Sequence, residues 1–455
     1  MDPTQKIACF VVDAAYEKIS SEALEAAKTA FLDCLGVTLA GSKEDSARIC
    51  ALLAREEGAR GESTVIGQGF SSSALLAALA NGTAAHALDY DHSFGNMGQP
   101  TAALVPAVFA LGEALRASGR DVLAAYVAGF EVTAILIRAI PEHSKKGGWH
   151  STGTLGALGA AAACARLFRL DESRVQMALG IASSMASGIV SNFGTMTKPL
   201  HAGLAAKNGI LAARLARSGF SSSPRILDRA KGFFEVFSRD LPVKEGAFEA
   251  LGVRFDLVER GIRIKPYPCG GLTHSAVDSL LELRAQHGIT PESIEKIHVA
   301  VGRHAYENII YHKPETGLQG KFSMPYILAR ALVHGKLTLE HFTDEAVRDA
   351  SIRRLGEKIF MEHEPEIEDA AEGRRPSRVT IRLKDGRTLS RHADYPKGGR
   401  QSPLTPEEIR QKFVECAGRT IGRQAVDGVL DYLERLETLA DLAPLCKLLM
   451  GTGEK

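Results

Sequence analysis

The spacing of apolar residues changes once along this chain, and that change constrains the fold more than any other feature. Up to about residue 260, apolar residues recur every three or four positions, as in amphipathic helices. One such segment opens at Ser21 and Glu22 and closes at Gly41. Others, many rich in Ala and Gly, run over 73–88, 104–117, 122–139, 173–186 and 202–218. We therefore predict an all-helical domain over residues 1–260.

After residue 260, segments 296–304 and 377–394 alternate apolar and polar residues, the pattern of half-buried strands. Asp385-Gly386 marks a hairpin turn in the second segment. Helical patterns at 275–286 and 322–332 lie between or before these segments, so residues 261–399 are predicted to form a smaller α+β domain. A capping box with Pro406 opens further helices. We predict that residues 400–455 return to the helical domain, and the fold class is therefore mainly α.

Charge and cysteine content exclude several classes of protein. With 55 Lys and Arg against 54 Asp and Glu, the net charge is +1, which is not typical of a nucleic-acid binder. An anionic ligand must therefore be held by a few placed cations. The seven cysteines include no CxxC pair, which favours buried thiols in a reducing compartment. No signal peptide is visible, and the apolar stretch at 153–167 is too weakly hydrophobic to span a bilayer. We expect a cytoplasmic protein without a membrane partner.

Four short segments concentrate polar residues where an ordinary core would not. They are 84–100 with Asp89, His92 and Ser93; 145–156 with His150; 193–209 with Lys198 and His201; and 264–278 with Lys265 and His274. Lysines and helix N-termini bind carboxylates. Histidine moves protons near neutral pH, and a carboxylate can orient it. This combination is suited to removing a proton next to a carboxylate.

Each of these residues also has a structural interpretation. Asp89 is also typical of a residue that caps a loop, and His150 of a histidine in the core. Lys198 is typical of a surface lysine, and Tyr326 of a residue packed within a helix. His201 and His274 lie near predicted helix starts, where a charged imidazole is disfavoured. Other chemistries have less support, because the chain lacks a P-loop ending, GxGxxG spacing and HExxH. No metal site is predicted.

The ordered segments HALDYDHS, GWHSTGTLGALGAAAA, GTMTKPLHAGLAAKNG, KPYPCGGLTH and PETGLQGKFSMPY resemble the successive signatures of the MmgE/PrpD family, over nearly the whole chain. The resemblance implies a large helical domain, a smaller α+β lid domain, a homodimer and no metal or organic cofactor. Activities of the family include 2-methylcitrate dehydratase, cis-aconitate decarboxylase and iminodisuccinate epimerase.

The resemblance also assigns site residues. These are Asp89 as the site aspartate, Ser93 as its nearby hydroxyl, His150, Lys198, Lys265 and Tyr326. Three positions depart from other members, the first two from decarboxylases and epimerases and the third from decarboxylases. Gln99 replaces a histidine in the glycine-rich loop, His92 a common second aspartate, and Gly270 a further histidine. These departures place cis-aconitate decarboxylation below a broader lyase activity, because glutamine cannot relay a proton near pH 7.

We predict a cofactor-independent carbon–oxygen lyase that dehydrates, or hydrates in reverse, a citrate-like polycarboxylate. His150 is the predicted base, Asp89 orients it, and Lys198 and Lys265 hold carboxylates. His92 or Lys265 is expected to complete the acid–base pair. The other predicted substrate contacts are Ser93, Gln99, His92, His201, His274 and Tyr326. An epimerase of an iminodisuccinate-like diacid, a decarboxylase and a non-catalytic carboxylate-binding protein remain as alternatives.

Overall fold

The computed structural model describes residues 1–95, 98–144, 146–238, 241–367 and 373–451. In chain order the helices are α1 (Pro3–Asp13), α2 (Ser21–Gly41), α3 (Asp45–Glu56), α4 (Ala74–Ala87), α5 (Thr101–Leu115), α6 (Gly119–Ala139), α7 (Ser151–Leu167), α8 (Glu172–Met185), α9 (Thr197–Arg217), α10 (Phe233–Ser238), α11 (Asp256–Glu259), α12 (His274–His287), α13 (Arg303–Asn308), α14 (Gly317–Gly320), α15 (Met324–His334), α16 (Asp344–Val347), α17 (Ala350–Gly356), α18 (Pro406–Ala417), α19 (Arg423–Glu434) and α20 (Ala443–Leu449). The strands are β1 (Ser63–Val65), β2 (Phe70–Ser72), β3 (Ile294–Val301), β4 (Ile359–His363), β5 (Ser377–Leu383) and β6 (Thr388–Ala393).

The chain divides into two compact units. The helical unit comprises Met1–Ile262 and Pro406–Lys455, and the mixed unit comprises Arg263–Thr405. The mainly α fold class predicted from the sequence is confirmed. The predicted helices over 73–88, 104–117 and 173–186 correspond to α4, α5 and α8 within a few residues. Helix α9 begins five residues before the predicted segment, because Pro199 is accommodated in its first turn.

Glycines allow the central helices of the helical unit to approach at backbone distance. A Cβ atom on Gly82 of α4 would lie 2.8 Å from the Cα atom of Gly203 on α9. A Cβ atom on Gly129 of α6 would lie 2.7 Å from the Cβ atom of Ala163 on α7. Neither position has room for a side chain. The close approach of these backbones brings the helix ends of α4, α7 and α9 together.

Helix α6 is the longest strongly apolar element. Within the described residues it is the one helix whose length and composition would allow it to cross a membrane, but 89% of its apolar window is buried inside the unit. The sequence indicates 153–167 as the longest apolar stretch; that segment lies in α7, which at 17 residues is shorter than the 21-residue α6.

The mixed unit is built on a four-stranded sheet with the order β4-β3-β5-β6. Strand β3 pairs in parallel with β4 and antiparallel with β5, and β5 pairs antiparallel with β6. The hairpin turn at Asp385-Gly386 lies where the sequence predicts it, with the Leu383 N–H donating to the Arg387 carbonyl. Buried residues of β3 and β5 form one apolar cluster with α12 and α15.

Candidate active site

Polar side chains from three helix ends meet inside the helical unit. His86 lies in the last turn of α4, and Asp89 and Asp91 follow that helix. His150 is the residue before α7, and Lys198 and His201 lie in the first turns of α9. Helix ends carry unpaired backbone groups and are suited to binding charged ligands. The structure therefore brings together Asp89, His150, Lys198 and His201, all four of which were predicted site residues.

A buried ion pair occupies one side of this cluster. Lys198 Nζ lies 2.5 Å from Asp89 Oδ1, and the two residues are only 7% and 5% exposed. Asp89 adopts a left-handed backbone conformation with a φ of 52°, which aspartate tolerates better than most residues. The Lys198 ammonium also lies 5.0 Å from the ring centre of Phe193. The turn after α4 is thus held in an uncommon conformation that directs Asp89 to the cation.

Three imidazoles form the other side. His150 Nδ1 and His201 Nδ1 are 3.1 Å apart, so one nitrogen donates a hydrogen bond and the other accepts it. An accepting ring nitrogen carries no proton, and at least one of these two rings is therefore neutral. His86 stacks on His150, with ring centres 5.4 Å apart and an interplanar angle of 23°. His86 Nδ1 lies 3.0 Å from both carboxylate oxygens of Asp91.

Burial keeps His150 and His201 neutral near pH 7. Burial is the largest cause that holds the pKa of His150 well below its ordinary value, followed by charges on His86, Lys198 and His201; Asp89 acts in the opposite direction. Burial likewise lowers the pKa of His201 to about 4. Within the described residues, His150 Nε2 is buried without a hydrogen-bond partner. This arrangement can supply a neutral imidazole base beside a fixed cation.

The loop between α4 and α5 also carries Ser93 and Gln99. The Gln99 N–H donates to Thr152 Oγ1 at 3.1 Å, and the Thr152 hydroxyl donates to Gln99 Oε1 at 3.1 Å. These contacts attach the loop to the first turn of α7, directly after His150. Ser93 is half-buried in the same loop. Residues 96, 97 and 145, which fall within two predicted site segments, lie outside the described residues.

His92, another predicted site residue, is buried and held through both ring nitrogens. Its Nδ1 lies 2.7 Å from Asp33 Oδ2 and its Nε2 lies 2.7 Å from the Thr101 hydroxyl. That hydroxyl in turn lies 2.8 Å from the Tyr126 hydroxyl. Because both ring nitrogens are used by buried protein groups, His92 has a structural role. These contacts weigh against the predicted substrate contact of His92 and against His92 as the acid–base partner of His150.

Sequence reasoning missed Asp33 and Lys412, which bind this loop through His92 and Tyr90. Asp33 accepts hydrogen bonds from the His92 ring and backbone N–H, and Lys412 Nζ lies 2.6 Å from Asp33 Oδ1. Lys412 also donates to the Tyr90 carbonyl at 2.8 Å. The Lys412 and His92 charges contribute to lowering the pKa of Asp33 to about 2 against the effect of its burial. Neither Asp33 nor Lys412 belongs to a polar motif, so no local signal identifies them.

His86 was also missed, although the sequence signal existed. It precedes Asp89 by three positions, and residues at that spacing share a helix face. Ligand atoms of His86, Asp89 and Asp91 lie within 4.8 Å of one another. Lys198 supplies the cation for Asp89, and His86 itself hydrogen-bonds Asp91. Because a lysine of the protein pairs with Asp89 and a histidine hydrogen-bonds Asp91, both carboxylates already have partners. This arrangement favours an acid–base cluster over a metal site.

The remaining predicted residues belong to the mixed unit. Lys265 is 3% exposed. His274 is the first residue of α12; its Nε2 lies 3.2 Å from the Cys269 carbonyl, and its ring packs edge-on against Tyr267. The Tyr326 hydroxyl donates to the His341 carbonyl and accepts from Arg330 Nε. These contacts inside the unit favour a packing role for Tyr326, and its predicted substrate contact stays a prediction.

Comparison with known proteins extends over both units. The model of the MmgE/PrpD N-terminal domain matches residues 5–245, and that of the MmgE/PrpD C-terminal domain matches residues 267–437. The chain is 30% identical to cis-aconitate decarboxylase of Mus musculus over 446 residues, covering 93% of this chain and 88% of the relative. It is 28% identical to cis-aconitate decarboxylase of Homo sapiens over 450 residues, covering 95% and 91% of the two chains. The cis-aconitate decarboxylase of Aspergillus terreus (strain NIH 2624 / FGSC A1156) is 29% identical over 473 residues, covering 98% and 95%. With matches along both parts of the sequence and relatives that are enzymes, the chain belongs to the MmgE/PrpD family.

Proposed function

We propose that this chain is a lyase that acts on a small polycarboxylic acid of the citrate or aconitate type, by transferring a proton at a carbon next to a carboxylate. One observation carries the proposal: a buried, neutral His150, whose Nε2 has no partner among the residues that the structure describes, lies in the same cluster as the Lys198–Asp89 ion pair. Such a base can take a proton from carbon while the ammonium stabilises the charge that develops on the adjacent carboxylate.

Dehydration is the reaction that we favour. His150 Nε2 takes the proton from carbon, the electron pair of the broken C–H bond forms the alkene, and the C–O bond breaks. The departing hydroxyl leaves as water once an acid has supplied a proton. The low pKa of His150 suits this order of events, because the ring is unprotonated before the substrate enters. A bound tricarboxylate then raises the proton affinity of the ring.

Lys265 is proposed as a second carboxylate clamp. This role rests on the family resemblance and on the burial of a lysine, which is uncommon without an anionic partner. The predicted homodimer, the cytoplasmic location and the independence from a cofactor stay predictions.

Decarboxylation of cis-aconitate is the second candidate, because the relatives named above are cis-aconitate decarboxylases. In that reaction a C–C bond breaks, carbon dioxide leaves, and carbon takes a proton from an acid. Gln99 and Gly270 weigh against it. A Cβ atom on Gly270 would lie 3.2 Å from both the Lys321 carbonyl oxygen and a ring carbon of Phe322, so the local packing is adapted to glycine.

Proton NMR of the purified protein in D₂O tests the proposal. Citrate, 2-methylcitrate, cis-aconitate and aspartate-derived diacids are each incubated with wild type, His150→Gln and Lys198→Met. Lys207→Met is the matched control, because it removes a partly exposed lysine from the same helix α9. We expect alkene formation or hydration, lost in the first two variants and kept in the control.

The other outcomes separate the alternatives. Loss of carbon dioxide from cis-aconitate alone favours the decarboxylase. Deuterium entering an otherwise unchanged diacid favours an epimerase. Thermal stabilisation by an acid without any reaction favours a carboxylate-binding protein. Each of these results overturns the dehydration proposal.

A further inference from the structure

Dehydration requires an acid for the departing hydroxyl group as well as a base. We infer that His86, held by Asp91, is a second catalytic residue and supplies this proton, with His150 as the base. The inference rests on the proposed function. His86 is not among the residues that the sequence predicted for the site, and the two partners suggested there for His150 were His92 and Lys265.

The first support is the way in which His86 is held. The residue is 1% exposed, and its Nδ1 lies 3.0 Å from both oxygens of Asp91. Asp91 is itself 2% exposed. A carboxylate on Nδ1 fixes the orientation of the ring and stabilises the imidazolium form. The pair therefore has the arrangement of a proton donor whose charge is balanced by a fixed neighbour.

The second support is the Nε2 atom of His86. Among the described residues, His86 Nε2 is buried and has no hydrogen-bond partner, and the same is true of His150 Nε2. A buried polar atom without a partner is destabilising unless a ligand supplies the missing hydrogen bond. Asp91 holds His86 through Nδ1, His201 holds His150 through Nδ1, and the two rings stack with their centres 5.4 Å apart. His92 provides the contrast, because both of its nitrogens are paired.

The third support is electrostatic coupling between the two rings. A charge on His86 disfavours protonation of His150, whose ring lies 5.4 Å away. This coupling keeps His150 available as the base, beside a ring whose Nδ1 is held by Asp91.

The proton balance of the step follows. His150 Nε2 accepts the proton from the substrate carbon and becomes an imidazolium. His86 Nε2–H gives its proton to the hydroxyl, the C–O bond breaks, and one water molecule and the alkene result. The positive charge has moved from His86 to His150, and Asp91 stays ionised throughout. Exchange of one proton through solvent restores the starting state.

The test separates elimination from proton exchange at carbon. His86→Gln removes the acid and leaves the base. We expect its kcat for the hydroxy acid to fall about 10²–10⁴-fold, the usual contribution of a general acid, with KM changed only a few-fold. Deuterium exchange at the substrate carbon should persist in this variant and be lost in His150→Gln. Asp91→Asn should lower kcat in the same direction and shift the pH profile.

His143→Gln is the matched control. His143 is also 1% exposed, bonds Thr154 through Nε2, leaves Nδ1 buried without a partner among the described residues, and stacks on Trp149. Thermal unfolding of all variants measures the cost of losing a buried imidazole. A His86→Gln enzyme with the wild-type elimination rate, or one that loses exchange and elimination together, overturns the inference alone. A wild-type chain that converts none of the acids overturns the proposed function and this inference with it.

Discussion

The contact between α4 and α9 gives a direct test of how the site is positioned. Gly82 lies one helical turn before His86, and a Cβ atom added there would lie 2.8 Å from the Cα atom of Gly203. Carbon atoms in favourable contact are about 3.5–4.0 Å apart. The Gly82→Ala variant must therefore separate the two helices by about 1 Å. Because the contacted atom is backbone, no change of rotamer relieves the contact.

The Gly82→Ala change is expected to lower both the stability and the activity. Overpacking of a close-packed core costs about 1–3 kcal/mol of unfolding free energy. The same displacement moves His86 on α4 relative to Lys198 and His201 on α9. A 1 Å misplacement of reacting groups can lower a rate about 10²-fold. We therefore expect the Gly82→Ala variant to lose far more activity than its modest destabilisation would explain.

Urea unfolding and kcat/KM, measured on the same preparations, check this expectation. Gly246→Ala is the control, because a Cβ atom there meets nothing within 4 Å. That change should leave activity intact and alter stability by less than about 1 kcal/mol, with stabilisation the expected sign. If Gly82→Ala unfolds at the wild-type urea concentration and keeps its rate, backbone approach between α4 and α9 does not set the site geometry.

Three further predictions concern charged groups of the helical unit. Lys198→Met leaves Asp89 buried without its cation and should cost about 3–5 kcal/mol in urea unfolding; adding Asp89→Asn should restore part of that loss, and additive losses would contradict the pairing. The pKa of His201 falls to about 4 in the folded chain, so its contribution to stability is complete above about pH 6.5 and is lost as the pH falls toward 4. Unfolding free energy should therefore decrease over that window by at most about 1.4 kcal/mol per pH unit for this group, and a His201→Asn variant with an unchanged pH slope would refute the assignment. Lys412→Met removes the donor to the Tyr90 carbonyl, and hydrogen exchange should accelerate in the turn after α4 but not in the mixed unit.

Local sequence patterns predict many of the longer helices, among them α2, α4, α5, α6, α8 and α9, and the reason for their close approach. They also identify four residues of the candidate site, since Asp89, His150, Lys198 and His201 each lie at a helix end. Their meeting depends on the packing of α4, α7 and α9. The small residues of these helices indicate close packing, but the spacing of small residues does not specify which helices become neighbours.

The choice between His86 and His92 illustrates the limit of sequence reasoning. Each lies three residues from Asp89, on opposite sides along the chain. The left-handed conformation of Asp89 turns the backbone after α4, and His92 then meets Asp33, which lies 59 residues away along the chain. Lys412 lies 322 residues from Tyr90. Such distant partners leave no periodic signal near the loop.

Strand β4 was missed for a related reason. It has five residues and pairs in parallel with the edge of β3 that the β5–β6 hairpin leaves open. Its pairing is decided by a partner about 60 positions earlier rather than by an adjacent turn. A short segment without a hairpin neighbour offers too little alternation to be distinguished from a loop.

The charges of the cluster explain why imidazoles of low proton affinity suit a polyanionic substrate. In the free protein, burial and the Lys198 ammonium keep His150 and His201 unprotonated, so the base is ready before binding. Carboxylates of an entering acid oppose the effect of that ammonium and raise the proton affinity of the nearby rings. The proposed base therefore becomes stronger only when the proposed substrate is present. A site whose imidazoles already had ordinary pKa values would be partly protonated below pH 7, and the entering anion would increase that fraction and consume the base before it could act.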